Sequence, residues 1–245
     1  MGDLFLLSAA QMARLSPHFP LAHGVPRVDD RRVVSGIVYV IRNGLQWKGA
    51  PVAYGPHKTL YNRFMRWSRL VSQGGPRPER IMIDATHLKA HRTAASLLKK
   101  GKVPRHIGRT KGGLNAKLHA VCDQAGRPII LKLSAGQVSD HKGAAMVLEA
   151  LPAASHLIAD RGYNSAWFRQ ALADRGITPC IPSSRSRKLP FFYDKDIYRQ
   201  RHKVENLFAK LKDWRRIATR YDRCAHTFFS AICIAATIIF WINES

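Results

Sequence analysis

Two stretches decide how this chain folds: Arg80-Ile81-Met82-Ile83-Asp84 and, further on, His156-Leu157-Ile158-Ala159-Asp160. Each holds a short apolar run that ends in an acid. Short apolar runs bounded by polar residues read as buried strands. In an open α/β sheet, ligands bind beyond the carboxyl ends of such strands. Asp84 and Asp160 are therefore expected at two strand ends, facing one another. Acids are scarce, 16 in 245 residues, so two in equivalent places form a pattern.

Working outward, Lys117 to Cys122 alternates moderately and Pro128 to Leu133 is rich in β-formers. The turn Gln124-Ala125-Gly126 between them predicts a hairpin. Gly143 to Leu151 reads as a helix, Trp167 to Arg175 as another stopped by Gly176, and Thr178 to Ile181 as a short strand. Asp194 or Asp196 caps a long helix through about Arg216. This order predicts a mixed α/β sheet flanked by helices, antiparallel strands first and parallel crossovers later. The chain holds no internal repeat and no low-complexity tract.

Upstream, Ser72-Gln-Gly-Gly-Pro-Arg-Pro78 is punctuated by Gly and Pro. It marks a linker over residues 72–79, between a small helical domain (1–71) and a larger one (80–245). Ser8 caps a first helix through Leu15, ended by Pro17 and Pro20. Asp29 or Asp30 opens a second, whose stripe Val33, Val34, Ile37, Val38, Val40 and Ile41 is stopped by Gly44. A loop over Gln46–Pro56 leads to a third helix, about His57 to Leu70, with Leu60, Phe64 and Trp67 on one face. Its other faces carry Lys58, Asn62, Arg63, Arg66 and Arg69 and no acid. That pattern fits the recognition helix of a helix-turn-helix-type domain, with Lys58, Arg63 and Arg66 on DNA. An ordinary basic surface helix has the same composition.

The net charge of +24 and pI near 10.7 predict a polyanionic partner, most simply nucleic acid. A hydrophobic content of 46% argues against disorder. Four scattered cysteines offer no C-x-x-C pair, and a reducing cytoplasm is the expected location. No basic segment precedes Phe5-Leu6-Leu7, which argues against a secretory signal. Phe228 to Ile242 is about 15 residues of nearly continuous apolar character, short of the ~20 that span a membrane. It reads as a buried core helix, and no membrane partner is expected.

A third acid, Glu205, lies in the long terminal helix among Arg199, Arg201, Lys203, Lys210 and Lys212. Carboxylates held close repel unless a cation intervenes. Carboxylate oxygens, water and phosphate are what Mg²⁺ prefers. Two such ions can serve the attacking and leaving oxygens of a displacement at phosphorus. The same acids could instead be solvated or paired with the many cations.

The signature Tyr198-x2-Arg201-x3-Glu205-x6-Lys212 narrows the choice. With Asp160-Arg161-Gly162-Tyr163, Ile83-Asp84-Ala85-Thr86, Gly108 to Asn115, Asp213 to Ile217, Asp30-Arg31-Arg32 and Tyr61 to Phe64, the chain resembles bacterial insertion-sequence transposases of family five over nearly its whole length. The resemblance implies an RNase H-like catalytic domain in which Asp84, Asp160 and Glu205 are the catalytic, metal-binding DDE triad. It implies Mg²⁺ in a two-metal site, with Mn²⁺ as the alternative ion. It implies cleavage of double-stranded DNA at transposon ends, strand transfer to target DNA, and a homodimer in the synaptic complex. Tyr198, Arg201 and Lys212 would hold the DNA backbone, and their spacing puts all four signature residues on one helix face. No phosphate-binding G-x-x-x-x-G-K-[ST] loop occurs, and no nucleotide cofactor is needed.

Lys89 to Lys117 is strongly basic and free of acid, and Lys99, Lys100, Arg109 and Lys111 are expected along DNA. His87 and His91 have a ligand-like spacing but no third partner. Compared with the family, about a helix is missing between Trp67 and the first catalytic strand. That shortened linker keeps open a second reading, a catalytically defective copy acting only as a DNA-binding protein. A third is a metal-dependent nuclease indifferent to specific ends.

Overall fold

The computed structural model describes residues 4–19, 29–67, 78–96, 105–183 and 189–242. Ser8 starts α1 (Ala9–Leu15) through a reciprocal capping box with Gln11. Asp29 caps α2 (Asp30–Asn43), and Gly44 closes it in the left-handed region at φ 66°. Two 3₁₀ turns, Trp47–Gly49 and Val52–Tyr54, lead into α3 (His57–Trp67). The larger part then runs β1 (Arg80–Ala90), α4 (Arg92–Ala95), β2 (Gly108–Thr110), β3 (Gly113–Asp123), β4 (Pro128–Ala135), α5 (Asp140–Leu148), β5 (His156–Ile158), α6 (Ala166–Ala173), β6 (Thr178–Cys180), α7 (Lys195–Arg199), α8 (His202–Lys212), α9 (Arg215–Ala218), β7 (Thr219–Arg220) and α10 (Ala225–Thr237). The last helix continues as a π-helical turn, Ile238–Ile242. The expected linker lies outside the described residues through position 77, and so do Lys99 and Lys100.

The sheet runs β4-β3-β1-β5-β6. β1, β3 and β4 are antiparallel, whereas β5 and β6 join parallel to β1. Short β2 lies beside the start of β3, and β7 beside the end of β1. An antiparallel meander followed by parallel crossovers, with helices on both faces, is an RNase H-like domain.

Two expectations change. β1 does not end at Asp84 but runs six residues further, because Thr86, Leu88 and their neighbours keep pairing with β3 out to Asn115. What ends near Asp84 is only the pairing with β5, which stops at Met82. The long terminal helix is also broken twice. At Gln200, Arg201 and Lys203 the N–H groups bond three residues back instead of four, tightening the chain between α7 and α8. At Trp214 the backbone is extended (φ −85°, ψ 112°), separating α8 from α9.

Strand alternation sorts the core into two layers. Ile81 and Ile83 face α5 and α6 with Val121, Val147, Leu157 and Phe168. Met82 and Leu88 face the other way, with Leu118, Val204, Leu207, Phe228 and Ile232. That second layer continues into Val33, Ile37 and Ile41 of α2 and Leu60 and Phe64 of α3. Buried Arg216 ties the layers of helices together, donating to both oxygens of Asp222 (2.6 and 3.0 Å) and to the Leu45 carbonyl at 2.9 Å. By length and composition Ala225–Ile242 could cross a membrane, but 61% of it is buried within the protein, packed on α2, α8, α9 and β4.

Candidate active site

Asp84 occupies a core position. Between Met82 and Leu88 on the α8 face of β1, an apolar side chain would continue the layer. A carboxylate stands there instead, with only 19% of its side chain exposed. Burial pushes its pKa up to about 6, and the negative charges of Asp160 and Asp140 add to the effect; the Ala85 N–H (2.7 Å) and Arg201 oppose it. Asp160 follows β5 and caps the 3₁₀ turn Arg161–Tyr163, accepting from the Gly162 N–H at 2.8 Å. A side-chain carbon on Gly162 would lie 2.9 Å from Asp160 Oδ1 and 3.3 Å from Asp140 Oδ2. Only a residue without one leaves that space open.

α8 forms the second wall. Arg201 donates from Nη1 to Asp84 Oδ2 at 3.0 Å and from Nη2 to Glu205 Oε1. Lys212, at the other end of the helix, donates to Thr86 Oγ1 at 2.6 Å. Tyr198, on α7, packs edge-on against Tyr193 and feels the charges of Arg201 and Asp160. Arg201 and Glu205 are thus joined to Asp84, Lys212 reaches Thr86 two residues further along β1, and Tyr198 lies beside Arg201, despite the break between α7 and α8.

Comparison with known proteins gives the family. The family described as "Transposase DDE domain" matches residues 75–241. The chain belongs to the DDE transposase family. A second family, "Putative transposase of IS4/5 family", matches residues 7–71. A relative from Brucella ovis, named "Putative transposase for insertion sequence element IS6501", is 32% identical over 131 residues, 53% of this chain and 100% of its own. One from Burkholderia cepacia, with the same description for element IS402, is 30% identical over 156 residues, 56% of this chain and 72% of its own. Among solved structures, a piggyBac transposase synaptic complex with hairpin DNA matches 76% of this chain and 51% of its own at 11% identity and a TM-score of 0.43.

The remaining expected contacts of this DDE transposase chain divide. Lys58 and Arg66 on α3 are exposed, as are Arg109 and Lys111 at the β2–β3 turn. Arg63 is 14% exposed and engaged with Asp30 of α2 at 2.9 Å. Lys117, the last residue of the basic stretch, does not face solvent: it is buried, donating to the Val138 carbonyl and paired with Asp140 at 2.8 Å. His87 donates from Nε2 to the Gly136 carbonyl at 2.9 Å, and His91 caps α4, so neither is set up as a ligand.

Asp140 is absent from the sequence-level candidates. It follows a Ser139 cap and reads as the ordinary first turn of a helix. Nothing in its local pattern signals that the loop after β4 brings it to Asp84 and Asp160.

Carboxylate oxygens are the donor type that a hard divalent cation prefers. The pKa of Asp84 is raised first by burial and only secondarily by the charges of Asp160 and Asp140. Among the described residues no three ligand side chains are yet closed around one point. Arg201 stands between Asp84 and Glu205 instead.

Proposed function

We propose that this chain is an insertion-sequence transposase that cleaves DNA at the element ends and transfers the freed strand to target DNA. The observation that carries this is Arg201 joining Asp84 of β1 to Glu205 of α8, with Asp160 beside them. In a strongly basic protein, Arg201 links two acids from separate elements, and the charge of a third, Asp160, bears on it. Asp84, Asp160 and Glu205 would hold divalent ions, Mg²⁺ or Mn²⁺, which supply an activated attacking oxygen and a stabilised leaving oxygen.

The chain's own residues then have distinct tasks. Arg201, released from its two acids, can grip a phosphate bidentately. Lys212 offers a point charge on the same helix, and Tyr198 a hydroxyl beside both. Exposed Lys58, Arg66, Arg109 and Lys111 would run along the duplex, their charge giving affinity without sequence preference. In the first displacement a water oxygen bonds to phosphorus, the bond to the 3′ oxygen breaks, and the proton from water passes to that oxygen. In the second, the new 3′-hydroxyl oxygen bonds to a target phosphorus, the bond to the target's own 3′ oxygen breaks, and the hydroxyl proton passes to that displaced oxygen. One phosphodiester replaces another, so no nucleotide is consumed. Two ends must be held together, which calls for a homodimer in the synaptic complex.

The test is incubation of the purified protein with Mg²⁺ and a DNA fragment carrying the gene and its native flanks, beside Glu205→Gln. Cuts at both element ends that vanish in the variant are expected. Protection of the ends without cutting would leave a DNA-binding protein only, and cutting without regard to the ends would make it a nuclease.

A further inference from the structure

We propose that Asp140 is a fourth carboxylate of the cation site, reaching it from the sheet face opposite Glu205, with the Tyr163 hydroxyl donating into the same space. This rests on the reading of Asp84, Asp160 and Glu205 as metal-binding acids. It adds the wall formed by α5 to the one formed by α8.

Position comes first. The Ser139 cap sets Asp140 in the first turn of α5. Its Oδ2 and Asp160 Oδ1 stand 3.3 and 2.9 Å from one point, the place a side-chain carbon of Gly162 would take. Its other oxygen, Oδ1, accepts from Lys117 Nζ at 2.8 Å. Among the described residues nothing donates to Oδ2. One oxygen is therefore neutralised from the sheet and the other is turned to Gly162 and Asp160. The side chain is 34% exposed, so solvent and a hydrated ion can reach it.

Tyr163 is the independent observation. It is completely buried, and its hydroxyl has no hydrogen-bond partner among the described residues. The negative charges of Asp140, Asp84 and Asp160 all bear on it. A phenol held that way is a donor in need of an acceptor, and buried polar groups normally have one. Its hydroxyl has no surface that water can reach, so one of these carboxylates, turning as it closes on a cation, would supply it.

The charges agree. Four carboxylates meet two paired cations, Arg201 on the α8 side and Lys117 on the α5 side. Lys212 donates to a hydroxyl, not to an acid. The crevice therefore keeps a negative excess that a divalent ion can offset. The rival explanation is that Asp140 merely neutralises buried Lys117. Removing both partners at once separates the two.

The experiment titrates Mn²⁺ into DNA-free protein, followed by electron paramagnetic resonance, for wild type, Lys117→Met, the double variant Asp140→Asn with Lys117→Met, and Tyr163→Phe. Thermal unfolding of each reports folding, and end cleavage is the second readout. The double variant leaves no uncompensated buried charge, so it is expected to fold while losing about 10-fold or more in Mn²⁺ affinity. Lys117→Met alone should bind Mn²⁺ at least as well as wild type. Tyr163→Phe should fold normally and weaken Mn²⁺ binding by several-fold. A double variant that binds Mn²⁺ and cleaves like wild type overturns the proposal. Asp84→Asn and Asp160→Asn run alongside: if they too keep full Mn²⁺ affinity, it is the triad reading that fails.

Discussion

The Arg201 guanidinium stands between two acids of different elements, donating to Asp84 of β1 from one nitrogen and to Glu205 of α8 from another. The contact with Asp84 spans 117 positions of sequence. It ties the start of α8 to β1. The two acids contribute unequally to stability. Glu205 is 52% exposed and pairs with Arg201 at i, i+4, an arrangement worth about 0.5 kcal/mol or less. Glu205→Gln should therefore leave urea unfolding almost unchanged while end cleavage falls on the order of 10³-fold or more. A variant several kcal/mol less stable would make Glu205 a structural residue.

Gly162→Ala tests the space between the acids. The glycine is not needed for its backbone conformation, because its φ is not in the left-handed region. It is needed because a side-chain carbon would press on Asp160 Oδ1 at 2.9 Å. The Asp160 carboxylate must give by a few tenths of an ångström, and since a misplacement of about 1 Å can cost on the order of 10² in rate, this one should cost on the order of 10-fold. The variant should keep its circular dichroism spectrum and lose cleavage to that extent. Full activity would show that the carboxylate has room to move.

How much of this was legible in the sequence follows from what kind of interaction each feature depends on. Local signals held: Ser8, Asp29 and Gly44 begin and end helices where their chemistry predicts. The order of strands and helices also held. The extent of β1 was not legible, because Asp84, Thr86 and His87 are polar and only their pairing with β3 keeps the strand going. The break at Gln200 and Arg201 was equally hidden, since both residues suit a helix. Asp140 was missed for a third reason. Its partners Lys117, Asp160 and Gly162 are brought to it by the sheet and not by neighbouring residues.

The Asp213-Trp214-Arg215-Arg216-Ile217 run serves the fold before it serves DNA. Trp214 and Ile217 are core, and Arg216 is a buried cation. Its side chain and that of Asp222 are 9% and 8% exposed. Breaking such a pair by removing one member strands the other charge, at a cost of about 3–5 kcal/mol. Arg216→Ala and Asp222→Ala should each destabilise by that order in chemical denaturation. A loss under about 1 kcal/mol would place the pair effectively in solvent.

On α3 the structure separates cations that the sequence treats alike. Lys58 and Arg66 are exposed, whereas Arg63 is committed to Asp30. Binding to duplex DNA should weaken steeply with salt, because neutralised phosphates release counterions. Lys58→Ala and Arg66→Ala should each reduce the slope of log affinity against log salt by about 1. Arg63→Ala should reduce it less and lower stability instead. Equal effects on the slope would mean that Arg63 leaves Asp30 when DNA binds.

His119 makes the protein sensitive to acid. It lies on β3 with no exposed surface, and its Nε2 is 2.8 Å from Ser134 Oγ. Its Nδ1 has no partner among the described residues, and α5 presses on it so closely that a side-chain carbon on Gly143 would lie 2.2 Å away. Burial first, and then the charge of Lys117, bring its pKa down to about 4, with Asp140 opposing. Above the unfolded value of about 6.5 both states are neutral and the full stability is present. Below it the unfolded chain takes up a proton that the folded chain refuses until about pH 4, so stability is lost as pH falls through that window. Between pH 7 and pH 5 the loss from this one group is about 2 kcal/mol. Asp84 acts with the opposite sign, since its raised pKa favours the folded state as pH falls through 6. Comparison with His119→Gln at both pH values cancels that contribution. Urea unfolding should show wild type losing about 2 kcal/mol more than the variant between pH 7 and pH 5. Parallel losses would mean that the imidazole is protonated inside the fold.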